Sequence, residues 1–185
     1  MTTLLRYRDA PQQRWRNGRG STRELHSGDG WRLSVATLTQ PAEFSRFDGL
    51  DRTFVMAAGE VELSIGSTVT HLARGAITRF PGETPVTGTP LVGRADAVNV
   101  MTRRGRNVAV VSVQVLDGPG PAADALVFLD GGACVGGQTL EVFDAVLPGS
   151  SGVSGSSELS GSGVVQCRGA LVVVIRIENG REDSA

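Results

Sequence analysis

Arginine and aromatic residues are concentrated in two early segments of this 185-residue chain. Residues 14–25 include four Arg, one Trp, one Asn and two Gly, and glycines beside an indole favour a backbone that lies close to a flat group. Residues 44–52 contain two Phe and an Asp-Gly turn, and they end on Arg52, where a strand is predicted to begin. A guanidinium is planar and always charged, so Arg52 is suited to bind a carboxylate. The structural alternative is a salt bridge from Arg52 to Asp48 or Asp51.

A third segment, residues 96–104, alternates between polar and apolar side chains. Asn99, Met101 and Arg103 fall on one face of a predicted strand, opposite Val98 and Val100. Together the three segments supply Arg, Asn and Ser donors without an evident metal ligand set or nucleophile. This combination is better suited to binding a small anion than to catalysis.

Several catalytic classes are excluded by the composition. The chain has no Lys, which excludes a Schiff-base lysine, pyridoxal phosphate chemistry and a Walker-type phosphate lysine. The only histidines, His26 and His71, lie 45 positions apart, so neither a metal nor another cofactor is predicted. His26 is expected in an exposed loop and His71 in a hairpin strand. Cys134 and Cys167 are predicted to pack as small apolar side chains, and a disulfide between them is left open.

Charge and hydropathy indicate the class of partner. The net charge is −1, and Arg is interspersed with Asp and Glu, so nucleic-acid binding is not expected. No apolar run approaches the roughly 20 residues of a membrane helix, so no membrane partner is expected. The first ten residues lack a basic-then-apolar signal pattern, which predicts a cytoplasmic protein.

The dominant pattern along the chain is the two-residue alternation of β-strands. Residues 31–38 place Trp31, Leu33 and Val35 on one face and Arg32 and Ser34 on the other. Residues 61–65 and 68–72 are predicted to form a hairpin around Gly66-Ser67, and residues 108–116 a strand buried on both sides. Further strands are predicted at residues 53–57, 76–80, 97–101, 125–129, 138–142 and 169–177. Gly and Pro interrupt these runs every 8–12 residues or so, which favours an all-β sandwich or barrel.

The composition changes at residues 117–121, which contain two Gly-Pro pairs and are predicted to form a linker. This predicts an N-terminal domain of residues 1–116 that carries the site, and a smaller, acidic C-terminal domain of residues 117–185. Residues 149–163 are almost entirely Gly and Ser and are predicted to form a mobile loop.

The motifs in the first 115 residues resemble the HutD/Ves family. The stretch from Trp15 to Leu25 matches W-[KR]-N-G-x-G-x-T-R-E-[IL], with Arg19 where the family usually has Gly. Residues 31–36 match W-R-[LI]-S-x-A, residues 44–52 match F-S-x-F-x-G-x-D-R, and residues 96–104 match D-x-x-N-V-M-x-R-R. A bulky cation at position 19 is expected to narrow or recharge the mouth of a pocket.

The resemblance implies a cupin-like fold with two β-barrel, jelly-roll-like modules in one chain (a bicupin), often as a homodimer. It implies metal-independent binding of a carboxylate intermediate of histidine utilisation, such as urocanate or formylglutamate, and a role as regulator or sensor. The carried-over ligand-binding candidate is Arg52, with the following neighbours: Asn17, Ser34, Asn99 and Met101, then Arg23 and Arg103.

Two other function classes remain open at this level. A cupin-type isomerase or hydrolase acting on an amino-acid derivative would need an acid or base, for which Glu24, Asp96 and His71 are the candidates. A protein-interaction module would use the acidic residues 116–185 to bind a regulator or an enzyme.

Overall fold

The structure is a computed structural model, and it describes residues 2–149, 157–158 and 163–180. The chain divides into two compact units. We call residues 11–109, with 178–180, the arginine-rich unit, and residues 2–10, with 110–177 as far as they are described, the acidic unit. The first ten residues therefore join the second half of the chain. The domain bounds 1–116 and 117–185 stay a prediction.

Almost all regular structure is β, as the alternation predicts. A short 3-10 helix covers Tyr7–Asp9. In chain order the strands are β1 (Thr3–Leu5), β2 (Gln12–Arg14), β3 (Gly20–Gly28), β4 (Trp31–Leu38), β5 (Ala42–Glu43), β6 (Leu50–Ala58), β7 (Val61–Ile65), β8 (Thr68–Leu72), β9 (Ile77–Pro81), β10 (Val86–Pro90), β11 (Ala95–Arg103), β12 (Asn107–Pro119), β13 (Ala125–Phe128), β14 (Ala133–Val135), β15 (Gln138–Thr139), β16 (Ala145–Leu147), β17 (Ser157–Glu158) and β18 (Val165–Asn179).

The arginine-rich unit consists of two antiparallel sheets with an apolar core between them. One sheet has the order β2-β3-β4-β11-β6-β9, and the other has the order β5-β10-β7-β8. The core side chains come from both sheets and include Leu38, Phe54, Met56, Leu63 and Val86. Burial of this apolar surface is the main favourable term that holds the two sheets together.

Two-residue turns fix the register of the strands in this unit. Asp29 and Gly30 connect β3 to β4, and both have positive φ, at 51° and 81°. A hairpin turn with two positive φ angles matches the right-handed twist of its strands, and Asp-Gly is a preferred sequence for it. The predicted hairpin at Gly66-Ser67 is also present, between β7 and β8.

The register of the larger sheet places polar side chains in rows across its central strands. Met101 on β11 pairs with Arg32 on β4 and with Arg52 on β6. Two residues earlier, Asn99 pairs with Ser34 and with Phe54 in the same way. Paired residues on neighbouring strands point to the same face of a sheet. Side chains from three strands are therefore brought together on one face.

The acidic unit is built on one sheet with the order β15-β14-β18-β13-β16-β1-β17, with β12 also paired to β18. Its core is apolar and includes Leu4, Leu126, Phe128, Val146 and Val172. At the edge of this core the buried carboxylate of Asp144 accepts hydrogen bonds from Arg6, from the Tyr7 amide and from the Glu141 amide. These bonds attach the start of the chain to its second half.

Two predictions about β12 are wrong. Residues 117–121 do not begin a linker at Asp117, since the strand continues to Pro119. Gly118 takes a φ of 97°, which glycine tolerates. Among the described strands β12 pairs only with β18, so one of its edges has no strand partner, and proline is tolerated in such edge strands. The strand is also not buried on both sides, because Val108 and Val115 are 52% and 69% exposed.

His26 is not in an exposed loop. It lies in β3, it is buried, and its ring packs against Trp31 with a centroid distance of 4.2 Å. The register shifts between Glu24 and His26, and this irregularity turns the imidazole inward.

The remaining predictions on the second half concern the cysteines and the Gly/Ser segment. Cys134 and Cys167 are free thiols, and Cys167 is buried, which raises the pKa of its thiol. Most of residues 149–163 lies outside the described residues, so the predicted loop stays a prediction. Over the part of the chain that the structure describes, no helix has the length and apolar character needed to span a membrane.

Candidate functional site

The arginine-rich unit contains a cavity of about 580 Å³. Its floor is formed by side chains on the three central strands of the larger sheet: Arg32, Ser34, Arg52, Asn99 and Met101. The walls come mainly from the loop after β2 and from the segment around β5. The cavity therefore lies within a single unit, between the larger sheet and two segments of the same unit.

Arg52 is the central charged group of the floor. Its side chain is buried, with 5% exposure, and its Nη2 donates a hydrogen bond of 2.9 Å to the carbonyl oxygen of Ser45. Its Nε is buried and has no hydrogen-bond partner. The guanidinium lies 5.5, 5.3 and 5.5 Å from the ring centroids of three phenylalanines, Phe44, Phe47 and Phe80. The rings hold the cation by cation–π contact, but they do not neutralise its charge.

The salt bridge considered as the alternative for Arg52 is not formed. Asp51 accepts a hydrogen bond of 2.8 Å from Nε of Arg104, which also pairs with Glu83. Among the described residues no carboxylate forms an ion pair with Arg52. The cation is therefore buried without a counterion, an arrangement that costs free energy until an anion binds.

Burial, and to a smaller extent the nearby charge of Arg32, lower the pKa of Arg52 to about 10. The guanidinium still carries its positive charge at neutral pH. A buried cation at the base of a partly enclosed cavity attracts an anionic ligand group more strongly than an exposed one. A carboxylate is a suitable ligand group because it can accept two hydrogen bonds from a guanidinium.

Aromatic side chains form the walls beside Arg52. The rings of Phe44 and Phe54 stack at 5.8 Å, and Trp15 meets Phe44 edge-to-face at 6.1 Å. The indole Nε1 donates to Thr22 Oγ1 at 2.8 Å, which fixes the ring. Gly88 makes room for Phe44, since a Cβ at this position would lie 2.8 Å from its Cε1. These walls are suited to a flat or apolar ligand body.

Two other floor residues carry polar groups that differ in how well they are paired. Arg32 donates a hydrogen bond from Nε to the carboxylate of Glu24, and its guanidinium lies 5.7 Å from the ring centroid of Phe47. Asn99 is buried, its Nδ2 is 3.5 Å from the carbonyl oxygen of Ala97, and its Oδ1 has no partner. On the floor, Arg32 therefore has a carboxylate partner and Arg52 has none among the described residues. The buried side-chain amide of Asn99 has an oxygen without a hydrogen-bond partner.

Five of the predicted site residues line the cavity: Arg52, Asn17, Ser34, Asn99 and Met101. Arg23 and Arg103 are not among the lining residues. Thr22 lines the cavity, so the alternation of β3 directs Arg23 to the other face. Arg103 is the exposed last residue of β11, beyond the floor. The ligand-binding role of all seven residues stays a prediction.

The loop before β3 places Asn17 in the cavity lining. Its Oδ1 accepts a hydrogen bond of 3.0 Å from the amide of Arg19, so this oxygen stabilises the turn. Arg19 does not line the cavity, and its Nη1 donates to the carbonyl oxygen of Pro41 at 3.0 Å. The cation that departs from the family motif therefore binds a backbone carbonyl group and is not part of the cavity lining.

Sequence reasoning did not select four charged residues that line the cavity: Arg14, Arg16, Arg32 and Glu43. For Arg32 a signal existed, because the alternation of residues 31–38 places it on the same face as Ser34. For Glu43 no signal existed, because β5 has only two residues and too little alternation to define a face.

The acid and base candidates each form an ion pair of their own. Glu24 pairs with Arg32, Asp96 pairs with Arg94 and accepts from Thr37, and the exposed His71 pairs with Glu60. None of the three candidates is a lining residue. Within the described residues no group of three or more His, Cys, Asp or Glu could hold a metal ion.

Comparisons with known proteins agree with these motifs. The HutD family model matches residues 7–152. Protein Ves from Citrobacter koseri is 33% identical over 151 residues, which cover 69% of this chain and 79% of that protein. Among solved structures, HutD from Pseudomonas fluorescens SBW25 has a TM-score of 0.75 at 24% identity. The match covers 98% of this chain and 100% of that protein. A conserved protein of unknown function from Pseudomonas aeruginosa PAO1 has a TM-score of 0.76, also at 24% identity, with coverage of 97% of this chain and 99% of that protein. The fold predicted as all-β and cupin-like is confirmed.

Proposed function

This chain belongs to the HutD family, and from that premise we propose that its arginine-rich unit binds a small carboxylate metabolite of histidine utilisation. The candidate ligands are urocanate and formylglutamate, and the protein acts in the cytoplasm as a regulator or sensor of that pathway. The carrying observation is the buried guanidinium of Arg52, which has no carboxylate partner among the described residues and lies at the floor of a cavity. The two units are proposed to be two cupin-like modules, of which one carries the site.

The proposed binding mode uses one side chain for charge and several for orientation. Arg52 binds the ligand carboxylate through its Nη atoms, since its Nε is buried. Asn99 and Asn17 orient the ligand by hydrogen bonds, and Trp15 and Phe44 cover the ligand body. A hydrogen bond to a charged group contributes about 1.5–3 kcal/mol, so loss of the guanidinium weakens binding by roughly ten-fold or more.

Titration calorimetry with urocanate and with formylglutamate tests this function. Wild-type protein binds at least one of the two, and Arg52→Ala weakens that binding at least ten-fold. Arg79→Ala is the matched control, because Arg79 is exposed on the neighbouring strand β9 and does not line the cavity. Equal affinity of wild type and Arg52→Ala would remove Arg52 from the site, and absence of binding to both compounds would contradict the proposed ligands.

A further inference from the structure

Two guanidinium groups share the floor of the cavity and flank the same side chain. Arg32 and Arg52 are the cross-strand neighbours of Met101 on its two sides. Both also lie against the ring of Phe47, at 5.7 and 5.3 Å from its centroid. Strands in a sheet are about 4.8 Å apart, so the backbones of these two arginines are separated by roughly 10 Å. An anion bound at Arg52 therefore interacts with both charges.

Arg32 and Arg52 differ in whether a carboxylate neutralises their charge. Glu24 lies on β3 opposite Ser34, on the cavity face of the sheet, and its carboxylate accepts from Arg32 Nε. Arg52 has a neutral carbonyl group and aromatic rings as its partners. On the floor, Glu24, Arg32 and Arg52 thus carry a net charge of +1, and the excess is localised on Arg52. The other charged lining residues, Arg14, Arg16 and Glu43, belong to the walls and are exposed, so solvent and salt screen their charges.

This charge balance has a consequence for the head group of the ligand. A singly charged head group neutralises the floor, whereas a doubly charged one leaves an excess negative charge in a partly desolvated site. Unbalanced charge is costly where the effective dielectric constant is low. Without Glu24, neither Arg32 nor Arg52 would have a counterion on the floor. The binding free energy of a doubly charged head group would then improve more than that of a singly charged one.

We propose that the floor selects a singly charged head group, such as a carboxylate, over a doubly charged one, such as a phosphate monoester, and that Glu24 sets this selectivity by neutralising Arg32. This inference rests on the proposed function, because it concerns the same site. Glu24 acts through Arg32 and is a specificity-determining residue that need not contact the ligand.

The test compares acetate with sulfate, which differ in charge, have no large body to place and do not titrate near neutral pH. NMR titrations at constant ionic strength give the dissociation constant of each anion from signals of the floor strands. Wild type is expected to prefer acetate. In Glu24→Gln the sulfate-to-acetate affinity ratio is expected to rise about ten-fold, because the second charge of sulfate meets a second uncompensated guanidinium.

Three further variants separate a charge effect from a structural one. Glu24→Asp keeps the charge and is expected to keep the wild-type ratio. The double variant Glu24→Gln/Arg32→Gln restores the net charge of the floor and is expected to restore the preference for acetate. Glu62→Gln removes an exposed carboxylate on β7 outside the cavity lining, and it is expected to leave the ratio unchanged.

The possible results distinguish this inference from the proposed function. If acetate binds the floor but sulfate binds wild type equally well, the inference is overturned while the proposed function stands. The same holds if Glu24→Gln keeps the wild-type ratio, or if the double variant fails to restore it. If acetate, urocanate and formylglutamate all leave the floor signals unchanged, the proposed function itself fails.

Discussion

Asp144 in the acidic unit and Arg52 in the arginine-rich unit are both buried charges, with 1% and 5% exposure, but their surroundings differ. Asp144 accepts from the guanidinium of Arg6 at 2.6 Å and from two backbone amides at 2.9 Å each. Arg52 donates to one carbonyl oxygen and is otherwise surrounded by three aromatic rings. A buried charge that is fully paired supports the fold, whereas one left without a counterion is available to a ligand.

The same contrast holds for the two units as a whole. Residues 11–109 contain thirteen Arg against nine Asp and Glu, whereas residues 1–10 and 110–177 contain four Arg against seven Asp and Glu. The first unit has a cavity with cations at its floor, whereas the buried charge of the second, Asp144, is paired with Arg6. The site therefore belongs to the unit in which excess positive charge meets an incompletely filled interior.

The largest expected effect tests the structural role of Asp144. Asp144→Ala removes the counterion of the partly buried Arg6 and the acceptor of two backbone amides, so we expect a loss of about 3–5 kcal/mol in the free energy of unfolding. Urea denaturation measures the loss, and the affinity for urocanate or formylglutamate, whichever binds, is expected to stay the same. A loss of less than about 1 kcal/mol would show that the network around Asp144 is not structurally important.

The next effect tests whether the cavity depends on Gly88. Gly88→Ala places a methyl group 2.8 Å from both Phe44 Cε1 and Leu38 Cδ2, so the ring must move. Overpacking of this kind costs about 1–3 kcal/mol, and the displaced ring is expected to weaken ligand binding as well. Gly131→Ala is the control, because a Cβ at position 131 meets open space. Unchanged stability and affinity in Gly88→Ala would show that the wall around Phe44 adapts freely.

A smaller effect compares Arg52 with Arg6, the arginine that pairs with the buried Asp144. Arg52→Met replaces an uncompensated cation with an apolar side chain of similar length, so the free energy of unfolding without ligand is expected to change by less than about 1 kcal/mol or to rise. Arg6→Met leaves Asp144 buried without its cation and is expected to cost about 3 kcal/mol. Urea denaturation measures the free energy of unfolding of both variants. Equal losses would show that Arg52 supports the fold as much as the pair of Arg6 and Asp144 does.

The smallest effect concerns pH and His26. Burial lowers the pKa of His26 below 6.5, against smaller opposing contributions led by the nearby charge of Asp29. As the pH falls through 6.5 the unfolded chain binds a proton that the folded chain binds only at lower pH, so stability decreases in that window.

Urea denaturation at pH 7.5 and pH 5.5 measures this decrease. His26→Phe is expected to remove most of the difference between the two pH values, and His71→Gln is expected to retain it. If His26→Phe keeps the wild-type difference, another group is responsible for the acid sensitivity.

Strand alternation predicted much of the site, because a two-residue period directly assigns side chains to faces. It placed Asn99 and Met101 on one face of a strand, and the structure has both at the cavity floor. The strand at Trp31–Leu38 has the predicted bounds, and it contributes Arg32 and Ser34 to the same floor.

The state of Arg52 could not be predicted, because it depends on contacts that are distant in sequence. Whether Asp51 would neutralise Arg52 is decided by Arg104, which lies 53 positions after Asp51 and binds it instead. The burial of His26 depends on a local irregularity in β3, and the exposure of Val115 depends on which strands pair with β12. None of these features has a local sequence signal.

The most direct test of the central claim is an NMR titration that follows the Nε–Hε signal of Arg52, assigned by its loss in Arg52→Met. Urocanate and formylglutamate are added separately, and the signals of the exposed Arg79 and Arg46 serve as internal references. We expect a saturable shift of the Arg52 signal with at least one of the two compounds, without a comparable shift of the references. An Arg52 signal that stays in place while either compound binds elsewhere on the protein would contradict it.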